Sequence, residues 1–88
     1  MHLGRVIGTV VSTSKDATLA GSKLLIVARL TEKQEPDGFT EIATDTVGAG
    51  YGEIVIVTTG SAARQTGTLD RSVTDASIVG IVDSVETH

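Results

Sequence analysis

The 88-residue chain contains no cysteine and no tryptophan, and only one proline, one phenylalanine and one tyrosine. The missing cysteine excludes disulfide staples, thiolate zinc sites, cysteine-ligated iron–sulfur clusters and a cysteine nucleophile in one step. It also points toward a reducing compartment. Phe39 and Tyr51 are too few for an aromatic platform on which bases could stack. Charge of one sign is scarce as well: seven Lys and Arg stand against eleven Asp and Glu, for a net charge of −4. Arg5, Lys15, Lys23, Arg29, Lys33, Arg64 and Arg71 are scattered singly, so no basic stripe exists to track phosphates. Nucleic acid is therefore not an expected partner.

No apolar run approaches the roughly 18 residues that span a bilayer. The opening "MHLGRVIGTVV" passes straight into a β-branched pattern without the layout of a cleavable signal. The expectation is a soluble, cytoplasmic chain with no membrane partner. Reactive groups are equally sparse. His2 and His88 sit at the two ends, no H-x-x-x-H spacing occurs, and Asp45, Asp70, Asp75 and Asp83 are isolated from one another. No catalytic residue, metal ligand or cofactor site is expected.

What the chain has in quantity is β-branched and aliphatic residues, which suit extended backbone. Strands are predicted over Leu3 to Thr13, Lys23 to Thr31, a short stretch near Phe39 to Thr44, Glu53 to Thr59, and Ala76 to Val85. Between the second and third, "EKQEPDGF" holds the only proline and an Asp37-Gly38 pair, the composition of a hairpin connection. One short helical turn fits Ser61 to Gln65. Five strands in a single domain, residues 1–88, give an all-β fold: a small closed or partly closed five-stranded β-barrel. Alternation then poses a problem. Ile54 and Ile56 face one way while Val55 and Val57 face the other, and Ile78 and Val82 oppose Val79 and Ile81. Both faces of these strands call for burial, and a domain of this size has little chain left to cover the outer one. A second copy of the chain is the simplest cover, so self-association is expected.

The stretch "DTVGAGYGEIVIVTTGSAAR" carries the strongest local pattern. Its spacing is G-x-G-x-G followed by a strand, not the G-x-G-x-x-G that opens a helix onto a pyrophosphate, and no P-loop lysine follows. A tight bend, or close approach of another backbone, accounts for it better. Ser61 fits the N-cap of the short turn better than a nucleophile, since G-x-S-x-G is absent. Arg64, among small residues, is placed either in solvent or for a bidentate bond to a carboxylate across a subunit contact.

Taken in order, "GRVIGTVVST", "KLLIV", "VGAGYGEIVIV", "GSAARQ" and "DASIVGIVDSV" resemble the EutN/CcmL family, the vertex proteins of bacterial microcompartment shells. The resemblance covers nearly the whole chain. It implies a five-stranded barrel similar to an OB-fold, in a structural, non-enzymatic protein that assembles as a cyclic homopentamer, plugs the fivefold corners of a polyhedral shell in the cytoplasm, and meets hexameric shell proteins there. It also implies that Asp45, Gly48, Ala49, Gly50, Gly60, Ser61, Ala62, Ala63, Arg64 and Gln65 lie at or near the subunit contact and central opening. The chain departs from the common family pattern at Thr46, where asparagine is frequent, and at Ile54, where tryptophan is frequent. A module of OB-fold type that binds nucleic acid or a small ligand is the alternative, and it predicts a basic, aromatic face.

Overall fold

The β-branched stretches do become strands. In the computed structural model, which describes residues 1–11, 23–60 and 75–87, the strands are β1 His2–Val10, β2 Lys23–Leu30, β3 Pro36–Asp45, β4 Ile54–Thr59 and β5 Ala76–Ile81. They close into a barrel in the order β1-β2-β3-β5-β4, with β4 returning to β1. Every neighbouring pair is antiparallel except β3 and β5. The closed barrel is what the strand count suggested, and its order, with one parallel pair, is the OB-like arrangement that the family resemblance implied. The helical turn expected at Ser61 to Gln65 lies outside the described residues.

Alternation decides what each strand buries. Val6 on β1, Leu25 and Val27 on β2, Ala43 on β3, Val55 and Val57 on β4, and Ala76 and Ile78 on β5 converge inside the barrel. Gly4 joins this inner face because Val27 occupies the space a side chain would need: a Cβ on Gly4 would lie 2.2 Å from Val27 Cγ1. Of the polar groups drawn inward, the Thr44 hydroxyl is tied to backbone, donating to the Ala76 carbonyl at 3.2 Å. His2 and Glu41, both largely shielded from solvent, pair with each other, so neither is buried without a partner.

The outer face divides in two. Ile26 folds its Cδ1 over Gly8, and Ile56 does the same over Gly80; a Cβ on those glycines would lie 3.3 and 3.4 Å away, respectively. These isoleucines are thereby half-buried by their own barrel. Ile7, Ile42 and Ile81 remain exposed. Ile7 faces outward by ordinary alternation after the inward Val6, and the register shift between Val6 and Gly8 brings Gly8 to the outer face as well, against Ile26.

Several boundaries differ from the sequence reading. The third strand is longer than expected, and the hairpin turn lies at Thr31 to Glu35 instead of at Asp37-Gly38. Thr31 organises that turn. Its carbonyl accepts from the Gln34 amide at 2.9 Å, its own amide donates to the Glu35 carbonyl at 2.8 Å, and its hydroxyl accepts from Lys33. Gln34 takes the left-handed conformation, φ 64°, that a glycine usually supplies. Asp37 and Gly38 instead form a bulge within β3, where the register passes from Ala28↔Thr40 to Leu30↔Pro36 and Gly38 has φ 91°. The last strand ends at Ile81, before the Val85 expected from composition.

Candidate assembly surfaces

The glycine stretch is organised by one carboxylate. Asp45, at the end of β3, has a side chain only 2% exposed. Its Oδ1 accepts the amides of Val47 at 3.0 Å and Gly48 at 3.1 Å, and its Oδ2 accepts that of Ala49 at 2.9 Å. An aspartate bonded to amides two to four residues ahead pulls the chain into a compact turn. Gly48, at φ 80°, supplies the conformation this wrap requires, and Ala49 is driven into the core. Lys23 Nζ donates to the Ala49 carbonyl at 2.9 Å and stands 4.0 Å from Asp45 Oδ2. The amides that might have cradled a phosphate are thus already occupied by the protein's own anion.

The loop is then stitched to β1. Gly52, at φ 84°, donates its amide to the Val6 carbonyl at 2.8 Å, and Arg5 donates to the Gly52 carbonyl at 2.9 Å. Gly50 differs from its neighbours: its φ is not positive, and a Cβ there would meet only the tip of Glu53, at 3.3 Å. Thr46 earns its place by donating its hydroxyl to the Ile78 carbonyl at 2.6 Å, which fastens the loop to β5. Val47 and Tyr51 are left exposed on the outside.

Gly60 lies elsewhere. It follows β4, takes φ 68°, and donates its amide to the Asp75 carbonyl at 2.9 Å. The glycine loop and Gly60 therefore sit at opposite ends of β4, a separation of about 20 Å at the usual strand rise. The structure brings Asp45, Gly48, Ala49 and Gly50 together but places Gly60 apart, while Ser61, Ala62, Ala63, Arg64 and Gln65 lie outside the described residues. Beside Gly60 is a groove of about 790 Å³, open along the flank of β3 and lined by Ile26, Phe39, Ile42, Thr59 and Ala76 among others. Sequence reasoning did not single out these groove residues. The exposed Ile42, on a strand otherwise ending in polar groups, was the available signal.

Of the basic residues, Arg29 lies over the Phe39 ring at 4.8 Å and bonds Asp37 at 2.6 Å through Nε. With Lys23 and Arg5 held by backbone carbonyls, no cluster of unengaged cations with an open aromatic face appears among the described residues.

The family pattern described as ethanolamine utilisation protein EutN/carboxysome matches residues 1–83. The chain belongs to the EutN/CcmL family. Within the family it is 68% identical over 87 residues to the microcompartment shell vertex protein GrpN of Rhodospirillum rubrum, covering 99% of this chain and 98% of that one. The carboxysome shell vertex protein CcmL of Synechocystis is 52% identical, covering 97% of this chain and 85% of that one. Two solved structures show the same fold. The GrpN pentameric microcompartment shell protein from Rhodospirillum rubrum superposes with a TM-score of 0.91 at 65% identity, covering 100% and 99% of the two chains. Gloeobacter violaceus CcmL superposes at 0.94 and 41% identity, covering 99% and 90%. The curated family members are named as shell vertex proteins, a structural role.

Proposed function

We propose that this chain is a structural subunit of a bacterial microcompartment shell, forming a cyclic pentamer that caps the fivefold vertices of the polyhedral shell in the cytoplasm. It does so as one vertex unit, residues 1–88, and without catalysing a reaction. The observation that carries this reading is the end-to-end match to a pentameric shell protein at 65% identity, too high for the subunit surface to have been wholly rebuilt. Geometry adds a reason for five. A sheet of six-membered tiles closes into a polyhedron only where five-membered units interrupt it, and a closed head-to-tail ring supplies such a unit. The hexameric shell proteins are the partners the ring's rim would meet.

A ring of this kind needs two unlike patches on each subunit, one for each neighbour. The loop from Asp45 to Gly50 and the segment from Gly60 to Gln65 are our candidates for those patches. The placement of the loop and of Gly60 at opposite ends of β4 suits a head-to-tail contact better than a single self-complementary one. Native mass spectrometry of the full chain tests the proposal: five subunits are expected, and a monomer at micromolar concentration overturns it. Co-assembly of the ring with hexameric shell proteins into closed particles then tests the vertex role. Flat sheets or tubes that ignore the ring count against it.

A further inference from the structure

We propose that the open edge of β3 between Thr40 and Ile42 accepts an extended segment of a second copy of this chain as an added strand. This rests on the ring reading above and says where one of its contacts is made. The argument begins with strand geometry. The Thr46 amide donates to the Ile78 carbonyl, and Thr44 is the partner of Ser77 in the parallel ladder. Backbone groups alternate sides along a strand, so Ile42 and Thr40 aim their amides and carbonyls toward that same side. The β5 strand begins at Ala76, and its ladder with β3 stops at Thr44. Among the described residues nothing pairs with Ile42 or Thr40 there.

Unpaired strand edges are normally blunted by proline, a bulge or a charge. The outer part of β3 has all three in Pro36, Asp37 and the Gly38 bulge. The inner part has none that is effective, because the one charge there, Glu41, turns away to pair with the largely shielded His2. The flanking side chains are apolar and uncovered: Phe39 is 47% and Ile42 is 55% exposed. An unguarded edge beside an apolar groove is the arrangement that strand addition uses, with backbone bonds for affinity and side-chain pockets for register. A second copy is the fitting occupant on two grounds. The pentameric relative requires every subunit to seat a neighbour on two unlike surfaces, and this groove lies by Gly60, at the other end of β4 from the glycine loop. A backbone ladder also needs no opposite charge, so it can join subunits that each carry −4.

The test uses Ile42→Pro and Ile42→Lys in the full chain. The Ile42 amide does not bond β2, so proline there removes only the outward donor, and lysine guards the edge as natural proteins do. Far-UV circular dichroism should be unchanged, and native mass spectrometry should show both rings dissociating at a concentration at least about tenfold above wild type, a loss of about 1.4 kcal/mol or more. The Thr40 and Ile42 amides should exchange slowly in the wild-type ring and quickly after dissociation. If Ile42→Pro fails to fold, Ile42→Lys and the exchange rates decide. A wild-type ring whose variants dissociate normally, with exchange at Ile42 indifferent to assembly, overturns the added strand while leaving the shell reading standing. A monomeric wild type overturns both.

Discussion

Asp45 shows how much organisation one side chain can carry in this protein. Three consecutive amides converge on its carboxylate, and truncation removes all three bonds at once. Asp45→Ala is expected to cost about 1–3 kcal/mol, the loss of hydrogen bonds to a charged acceptor, and Asp45→Asn less, since one oxygen remains to accept. Chemical denaturation of both variants checks the order. The neighbouring glycines can be ranked in the same way. Gly48→Ala forces a side chain into the left-handed region and should destabilise by about 1–2 kcal/mol, whereas Gly50→Ala displaces only a flexible carboxylate and should cost clearly less. Equal losses would contradict the conformations described. Thr58 offers the opposite case: its buried hydroxyl has no hydrogen-bond partner among the described residues, so Thr58→Val should stabilise the chain by roughly 1 kcal/mol. Spacing alone showed that the glycine stretch was no dinucleotide fingerprint. That Asp45 fills the amide cradle was not legible, because the contact depends on Gly48 adopting a positive φ, and several glycines in the stretch offered that freedom equally.

At the level of strands, Gly4 and Val27 lock β1 to β2 by a near-contact that leaves no room for a methyl group. Gly4→Ala should therefore cost about 1–3 kcal/mol through overpacking. Val27→Ala empties the same space, so the double variant should lose less than the sum of the two single changes, a coupling that a double-mutant cycle reads directly. The β2–β3 hairpin responds to acid. The Phe39 amide and then the Arg29 guanidinium hold the Asp37 carboxyl below its ordinary value of 3.8. Because the folded form has the lowered pKa, the contact supports the hairpin fully above that ordinary value and is lost as the pH falls through the folded one. An NMR titration should show Asp37 shifting in step with the Arg29 and Phe39 signals, below its ordinary value. Strand number and identity were legible because β-branched runs bounded by glycine and polar clusters have few other ways to fold. The hairpin was misplaced for a physical reason: Thr31 supplies three of the turn's hydrogen bonds and lets Gln34 take the conformation that Asp37-Gly38 advertised. Likewise the half-burial of Ile26 and Ile56 depends on glycines across the ladder, and that register cannot be read along one strand.

For the whole molecule, the question is what would hold the proposed ring of identical acidic subunits together. Each copy carries a net charge of −4, so assembly works against long-range repulsion, which salt screens within about 8–10 Å at physiological ionic strength. Two kinds of contact then predict opposite responses. If apolar groove residues and backbone bonds at the β3 edge dominate, raising ionic strength should tighten the ring by removing repulsion and costing the contact nothing. If ion pairs made by Arg64 dominate, salt should weaken it, and Arg64→Ala should abolish most of the salt dependence along with the ring. The surfaces described favour the first outcome: Ile42 and Phe39 are uncovered, while Arg5, Lys23 and Arg29 are already engaged within their own subunit. Dissociation measured by native mass spectrometry or mass photometry from low to physiological salt should therefore show the pentamer persisting to lower concentration as salt rises. The reverse trend would transfer the ring's stability from the β3 edge to the segment around Arg64, and with it the choice of residues through which a shell corner is strengthened or loosened.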